Sequence, residues 1–220
     1  MVYGTTNLAK LEHMREMLAG LGLAVLGLDD ISPGLPDVEE TGQKPVDNAR
    51  LKARHYHRLL GRPVFSCDSG LFIEGLSEEE QPGVMIRRVN GERMDDEAML
   101  SHYAAIAERF GGRVKAQYIN SICLVLNPDE VYCYQGPEIS TDSFWLLATR
   151  HEQCIAGLPL DSLSQTLDGE QYFVELRHGE SSMDVQMAQG FRRFFVESLG
   201  LDTRLVSLPQ GSMKSAWAAE

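Results

Sequence analysis

The order of apolar and polar residues predicts two helices in the first third of the chain. From Leu8, apolar residues recur at helical spacing until Gly20. A second helix begins at Pro45, which suits a first helical turn, and runs to about Leu60, just before Gly61. The predicted apolar stripes are Leu8, Leu11, Met14, Leu18 and Leu21 in the first helix, and Val46, Ala49, Ala53, Tyr56 and Leu60 in the second.

Short apolar runs between and after these helices predict strands. The early ones are Met1–Tyr3, Ala24–Leu28 and Val64–Cys67, the last followed by the polar turn Asp68-Ser-Gly70. Later, Val114–Leu126 and Val131–Tyr134 flank Asn127-Pro-Asp129, which predicts a hairpin.

Two further helices are predicted in the second half of the chain. Asp95-Asp-Glu97 opens one, because acidic residues suit a first helical turn, and Gly111-Gly112 closes it. The pattern Ser181-x-x-Asp184 resembles a capping box and opens the last helix, which Gly200 ends. The alternation of strands and helices predicts an α/β fold, with a single domain over residues 1–206 and a flexible tail over 207–220.

Composition and charge narrow the classes of protein and partner. The chain has 220 residues, 43% hydrophobic and 24% charged, which is typical of one globular domain. Its apolar runs hold five or six residues, whereas a membrane span needs about 20, and no secretory signal is visible, so we expect a soluble protein. A net charge of −12 without a block of Lys or Arg argues against a nucleic-acid polymer as partner, although a few lysines in a cleft can hold a small anion.

The four cysteines suggest a reducing compartment. Cys67, Cys123, Cys133 and Cys154 form no C-x-x-C pair and match no zinc or disulfide framework. Cys123 and Cys133 lie in apolar strands, where cysteine behaves as a small hydrophobe. We therefore expect free thiols and, from them, a cytoplasmic location.

The loop Thr5-Thr-Asn-Leu-Ala-Lys10 is a candidate anion site. It lies between a strand and a helix start, where unpaired N–H groups and the helix dipole favour an anion. The alternative is a Thr or Asn cap followed by a solvated lysine.

Three acidic residues are candidates for metal binding. Glu39 and Glu40 stand beside a turn at Gly42, and Asp68 stands where a strand is predicted to end. Carboxylates on such loops commonly hold Mg²⁺, which keeps several waters and binds substrate phosphates. The alternative for each of them is a solvated surface acid. For Lys52, on the second predicted helix, the alternative is likewise a solvated surface lysine.

The order of these pieces resembles the inosine triphosphate pyrophosphatase family (Ham1-like nucleoside triphosphate pyrophosphatases). The family motifs are T-G-N-x-x-K, E-E-T-G, E-N-A-x-x-K-A, D-D-S-G-L and P-G. Their counterparts here are Thr5-Thr-Asn-Leu-Ala-Lys10, Glu39-Glu-Thr-Gly42, Asp47-Asn-Ala-Arg-Leu-Lys-Ala53, Cys67-Asp-Ser-Gly-Leu71 and Pro82-Gly83, with Arg87 and Arg88 shortly after. The resemblance covers residues 1 to about 126.

The chain departs from the family pattern at several positions. Thr6 replaces a glycine, and Cys67 replaces an acid. The base-recognition segment F-G-Y-D-P-I-F is reduced to Leu158-Pro-Leu-Asp161, and the later S-H-R has no counterpart before Gly190-Phe-Arg-Arg193. For Cys67 two alternatives stay open: it faces the metal site, or it points away and packs behind its strand.

The resemblance implies a fold and a reaction. The fold is a long twisted mixed sheet with flanking helices and two lobes around a central cleft, in a homodimer. The reaction is Mg²⁺-dependent hydrolysis of non-standard purine nucleoside triphosphates, such as ITP, dITP or XTP, to a monophosphate and pyrophosphate. Two alternatives remain: the same reaction on a different nucleobase, and a non-catalytic nucleotide binder or sensor.

The resemblance also implies the site residues. Asp68 would accept the proton of the attacking water, and Glu39 and Asp68 would hold Mg²⁺. The implied contacts to substrate are Thr5, Thr6, Asn7, Leu8, Ala9, Lys10, Lys52, Ser69, Arg87, Arg88 and Asp161.

Overall fold

The computed structural model describes residues 1–89, 91–176 and 182–202, and for 182–184 the backbone alone. The helices in these ranges are α1 (Leu8–Met17), α2 (Pro45–Leu60), α3 (Asp96–Arg109) and α4 (Ser182–Leu199). The strands are β1 (Val2–Tyr3), β2 (Val64–Ile73), β3 (Arg88–Val89), β4 (Glu92–Arg93), β5 (Arg113–Asn127), β6 (Glu130–Gln135), β7 (Phe144–Leu147) and β8 (Ser164–Gln165). The predicted cap at Ser181 and the predicted tail over 207–220 lie outside the described residues.

The helices begin and end where their terminal residues favour it. The Asn7 carboxamide caps α1 by accepting a hydrogen bond from the Lys10 N–H, and Asp95 caps α3 through the Ala98 N–H. Pro45 opens α2, and Gly61 ends it in the left-handed conformation with φ 62°. All four predicted helices are confirmed, although Leu8, placed on the apolar stripe of α1, is 69% exposed.

The main sheet is mixed and centres on the long strand β5. The order is β1-β2-β5-β7-β8, and β6 also pairs with β5. β1 is parallel to β2, whereas the other pairs are antiparallel. The predicted hairpin is confirmed, because β5 and β6 pair directly across the turn after Asn127.

Two predicted strands differ in the structure. Ala24–Leu28 forms a single bridge, from Leu26 to Val2, in place of a strand. β2 continues to Ile73 instead of ending at Cys67, because β5 pairs with it residue by residue, from Val64–Val125 to Ile73–Ala116. Asp68 therefore lies within a strand and not in a turn at its end.

The expectation of four free thiols is wrong for two of them. The hairpin register places Cys123 directly opposite Cys133, and the two form a disulfide across β5 and β6. Cys67 and Cys154 are free. The cause is long-range pairing, which the spacing of the cysteines alone does not reveal.

The apolar core is divided between two lobes. One large cluster joins α1 and α4 to one part of the sheet, around Phe65, Ile122 and Phe195. A second joins α3 and β7 to the other ends of β2 and β5, around Tyr103 and Phe144. Since the long strands run through both clusters, a cleft forms between the lobes, and the predicted α/β fold class is confirmed. In the described part of the chain, no helix is long and apolar enough to cross a membrane.

Candidate active site

Asp68 is the centre of the site. It lies in the middle of β2, is 6% exposed, and faces α2. Its Oδ1 accepts a hydrogen bond from Lys52 Nζ at 2.7 Å, and its Oδ2 accepts one from Asn48 Nδ2 at 3.2 Å. Asn48 and Lys52 are four residues apart on α2, so one face of the helix presents both side chains to the same carboxylate.

A second carboxylate contacts the same lysine. Lys52 Nζ donates to Glu40 Oε1 at 2.9 Å, and Glu40 lines the cleft. Glu39, the residue implied by the resemblance, is exposed and is not among the residues that line the cleft. Of the two adjacent acids, the structure therefore brings Glu40 to Asp68.

Asn48 connects the acidic turn to Asp68. Its Oδ1 accepts a hydrogen bond from the Gly42 N–H at 2.8 Å while its Nδ2 donates to Asp68, and the side chain is buried. A Cβ on Gly42 would stand 2.6 Å from Asn48 Oδ1. Glycine at position 42 is therefore required by this close approach, and the amide fixes the turn that follows Glu40 relative to β2.

Burial sets the electrostatics of the site. Desolvation raises the pKa of Asp68 and Glu40 raises it further, although the Lys52 ammonium opposes both. Burial alone would lower the pKa of Lys52, but Asp68 and Glu40 outweigh it and raise that pKa. A buried carboxylate with a raised pKa is a better proton acceptor than a solvated one.

The predicted anion loop forms the adjacent wall of the cleft. Thr5, Thr6, Asn7 and Lys10 line the cleft, whereas Leu8 and Ala9 are absent from its lining. The pKa of Lys10 is lowered, first by burial and then by the nearby Lys52 ammonium. Lys10 is thus a half-buried cation near Lys52, which the solvated-lysine alternative does not describe.

Cys67 occupies the opposite face of β2 from the Asp68 carboxylate. It packs against the cluster that contains Tyr3 and Phe65, as the alternation of side chains along a strand requires. Burial raises the pKa of the Cys67 thiol to about 12, despite the opposing effects of the Tyr3 hydroxyl and Lys10. The thiol stays neutral and lines the cleft on the same face of β2 as Ser69, so Cys67 both packs against this cluster and borders the site.

The remaining predicted residues lie on other parts of the same cleft. Ser69, Arg87, Arg88 and Asp161 all line it, and its volume is about 460 Å³, within the range of pockets for small-molecule ligands.

The end of the cleft near Leu158 contains aromatic and apolar side chains that sequence reasoning missed. Tyr118 and Phe173 line it; Tyr118 stacks on the buried Phe144, and Phe173 contacts the same ring at a tilt of 52°. Leu160, which belongs to the same apolar cluster as Phe144, also lines it. Tyr118 lies inside the predicted strand β5, so side-chain alternation offered a signal for it; Phe173 lies in a short 3₁₀ turn that has no periodicity.

The acidic pair fits a magnesium ion. Among the described residues, no group of three or more His, Cys, Asp or Glu side chains forms a complete metal cage. Asp68 and Glu40 nevertheless place one oxygen each within contact distance of a single cation, the Lys52 ammonium. Two carboxylates suit Mg²⁺, because this ion takes its other ligands from water and phosphate.

Comparisons with known proteins find a matching family and similar solved structures. The sequence profile of the Ham1 family matches residues 1–138. The dITP/XTP pyrophosphatase of Symbiobacterium thermophilum is 35% identical over 62% of this chain and 66% of its own length. The dITP/XTP pyrophosphatase of Xanthomonas oryzae is 33% identical over 59% of this chain and 64% of its own. Both matches span less than two thirds of the relative's length.

Solved structures show the same fold over more of the chain. A HAM1 protein from Coxiella burnetii superimposes with a TM-score of 0.67 at 24% identity, covering 89% of this chain and 98% of its own. The Staphylococcus aureus Ham1 protein gives 0.65 at 23%, covering 89% and 97%. The fold therefore extends beyond residue 138, where the sequence match ends.

Proposed function

The chain belongs to the Ham1 family, and on that premise we propose that it hydrolyses non-standard purine nucleoside triphosphates of the ITP, dITP and XTP type to a monophosphate and pyrophosphate. One observation carries the proposal: the buried Asp68 carboxylate is held between Lys52 and Asn48 at a cleft that Lys10 and the Thr5 loop also line. The names of the relatives, dITP/XTP pyrophosphatase, support the substrate class.

The reaction needs a base beside the α-phosphate and positive charge along the tail. In the proposed step, Asp68 accepts a proton from a water molecule whose oxygen bonds to the α-phosphorus. The bond from that phosphorus to the α–β bridging oxygen breaks, and pyrophosphate leaves. Lys10 and Lys52 offset the charge of the tail, and Ser69 contacts it through its hydroxyl and N–H.

We propose that Asp68 and Glu40 hold the magnesium ion, with Glu40 in the place that the resemblance gave to Glu39. When bound, Mg²⁺ neutralises phosphate charge and polarises the phosphoryl oxygens. Both carboxylates already share one cation, Lys52 Nζ, which supports this assignment.

A different nucleobase is the second candidate, and one observation favours it. The family match ends at residue 138, while the cleft near Leu158 is formed mostly by later residues. Without the S-H-R segment, we expect a weaker preference for ITP and XTP over ATP than a base-specific site gives. The non-catalytic alternative rests on Cys67, which lines the cleft on the face of β2 opposite to the Asp68 carboxylate.

The homodimer and the cytoplasmic location stay predictions. The dimer comes from the family resemblance, and the thiol argument for the cytoplasm now rests on Cys67 and Cys154 alone.

Pyrophosphate release over a panel of ITP, dITP, XTP, ATP and GTP, with and without Mg²⁺, tests the proposal. We expect Mg²⁺-dependent release from at least one of ITP, dITP and XTP. Release only from another nucleotide would establish the second candidate. Binding without release from any nucleotide would leave the non-catalytic binder as the function.

A further inference from the structure

The backbone of Gly157, at the cleft, is bound through its N–H and its carbonyl by three separate segments of the chain. The Gly157 N–H donates to Asp96 Oδ2 at 2.9 Å. The Gly157 carbonyl accepts from Arg87 Nη2 at 2.8 Å and from Asn7 Nδ2 at 3.2 Å. Gly157 has φ 84°, and a Cβ there would stand 3.2 Å from the Asn7 carboxamide, so the contact favours glycine.

Arg87 is the residue that closes this network. Its Nη1 donates to Asp96 Oδ1 at 2.8 Å while its Nη2 binds the Gly157 carbonyl. Asp96 is therefore bound through both oxygens, and its pKa is lowered by the Gly157 N–H and by Arg87. The guanidinium thus has its two terminal nitrogens engaged inside the protein.

The network joins the two ends of the cleft. Asn7 belongs to the predicted anion loop Thr5–Lys10, at the phosphate end of the cleft, and caps α1. Asp96 is the first residue of α3 in the other lobe. Gly157 directly precedes Leu158 and the 3₁₀ turn Pro159–Ser162, which line the far end of the cleft. The position of that end relative to the anion loop therefore depends on how Gly157 is held.

We propose that Arg87 is a positioning residue that fixes the distance between the phosphate end and the base end of the cleft, and that it does not itself bind the triphosphate. This inference rests on the proposed function. The geometry replaces the role that the sequence suggested for Arg87, a contact to phosphate, with an internal one between Asp96 and Gly157.

Lysine cannot perform this role. The planar guanidinium reaches two acceptors in different directions with two nitrogens, whereas a lysine offers one ammonium at the end of a flexible chain. A phosphate contact, by contrast, mainly needs a positive charge, which lysine retains.

The test measures binding of two probes to wild type, Arg87→Lys and Asp96→Asn. Inorganic tripolyphosphate occupies the phosphate end alone, whereas the α,β-imido analogue of ITP must span both ends. We expect both substitutions to weaken the analogue about tenfold, the scale of one charge-assisted hydrogen bond, and to leave tripolyphosphate affinity unchanged. Arg150→Lys is the matched control, because Arg150 binds the neighbouring acid Glu97 at the surface of α3.

Each outcome has a separate meaning. A further variant, Arg87→Gln, removes the charge itself: weaker tripolyphosphate binding in that variant, with Asp96→Asn unaffected or tighter, would make Arg87 a phosphate ligand and overturn the inference. Unchanged analogue binding in both Arg87→Lys and Asp96→Asn would overturn it too. If wild type binds the analogue but hydrolyses no nucleotide, the proposed function is overturned. The positioning role is then still decided by the affinities of Arg87→Lys and Asp96→Asn for the two probes. Wild type that binds tripolyphosphate but not the analogue would remove the spanning cleft and the inference with it.

Discussion

Asp68 is buried, accepts hydrogen bonds from two donors and lies near a second carboxylate. These features have opposite effects on the stability of the fold and on the activity of the site. Because its pKa is raised in the folded state, the favourable contribution belongs to the protonated form. That contribution is present at low pH and is lost as the pH rises through the folded-state pKa. At neutral pH the ionised carboxylate therefore costs stability.

Asp68→Asn should separate the effect of Asp68 on activity from its effect on stability. The amide cannot accept the water's proton, so we expect turnover to fall by about 10²–10⁴-fold. The thermal midpoint at neutral pH should change little, because removal of the buried carboxylate charge is offset by loss of its ion pair with Lys52. Steady-state kinetics and thermal unfolding check both; a variant that keeps more than about a tenth of the wild-type rate would exclude Asp68 as the base.

Lys52 should determine the pH below which kcat/KM falls on the acid side of the pH profile. Its ammonium lowers the pKa of Asp68 against the effects of burial and Glu40. In Lys52→Gln that effect is lost and the pKa rises, so activity that requires ionised Asp68 should disappear at a higher pH than in wild type. The profile of kcat/KM between acid and neutral pH measures this shift.

Lys10→Gln is the comparison for Lys52→Gln. Lys10 also lowers the pKa of Asp68 but less than Lys52 does, so its removal should weaken triphosphate binding with a smaller shift of the acid side of the pH profile. Equal profiles for both variants and wild type would place the ionisation on another group.

Cys67→Asp tests which face of β2 matters. The side chain packs against the cluster with Tyr3 and Phe65, so a carboxylate there would be partly buried, on the face of β2 opposite to the Asp68 carboxylate. We expect a lower thermal midpoint and an unchanged Mg²⁺ concentration for half-maximal activity. If the variant instead needs less Mg²⁺, the side chain at position 67 reaches the metal.

At the scale of elements, the sequence predicted what local chemistry determines. The bounds of α2 follow from Pro45 and Gly61, and the β5–β6 hairpin from its turn residues. The sequence did not predict that β2 continues through Asp68, because Asp-Ser-Gly is polar and favours turns. Pairing with β5, which is distant along the chain, overrides that preference.

The candidate site was likewise predicted only in part from the sequence. Motif order brought Lys10, Lys52 and Asp68 to attention, and the structure gathers all three at one cleft. The choice between Glu39 and Glu40 depends on the direction of a loop side chain, and the disulfide between Cys123 and Cys133 depends on strand register. Neither can be obtained from spacing alone.

The turn before α2 and the end of α2 should respond differently to alanine. In Gly42→Ala the new Cβ would collide with Asn48 Oδ1, which displaces the amide that holds Asp68, so activity should fall more than stability. In Gly61→Ala the left-handed φ is unfavourable and no side chain of the site is touched, so stability should fall by about 1 kcal/mol with activity retained.

Denaturant unfolding and kcat/KM on the two variants make this comparison. If kcat/KM falls in the same proportion to the lost free energy of unfolding in both variants, the hydrogen bonds of Asn48 have no special role in the site.

At the scale of the whole molecule, the cleft differs from the rest of an acidic protein. The net charge is −12, whereas the cleft is lined by the bases Lys10, Lys52, Arg87, Arg88 and Arg93 and by the acids Asp37, Glu40, Asp68 and Asp161. The near balance of charge in the cleft reduces the repulsion that the protein's net charge exerts on a triphosphate. The long strands β2 and β5 pass through both lobes and hold the two ends of that cleft in one framework.

Hydrolysis of ITP in ¹⁸O-labelled water with Mg²⁺ tests the central claim most directly. If Asp68 activates water against the α-phosphorus, the label should appear in the monophosphate, and the pyrophosphate should carry none. Label in pyrophosphate, release of orthophosphate as the first product, or no turnover of any nucleoside triphosphate would contradict the account.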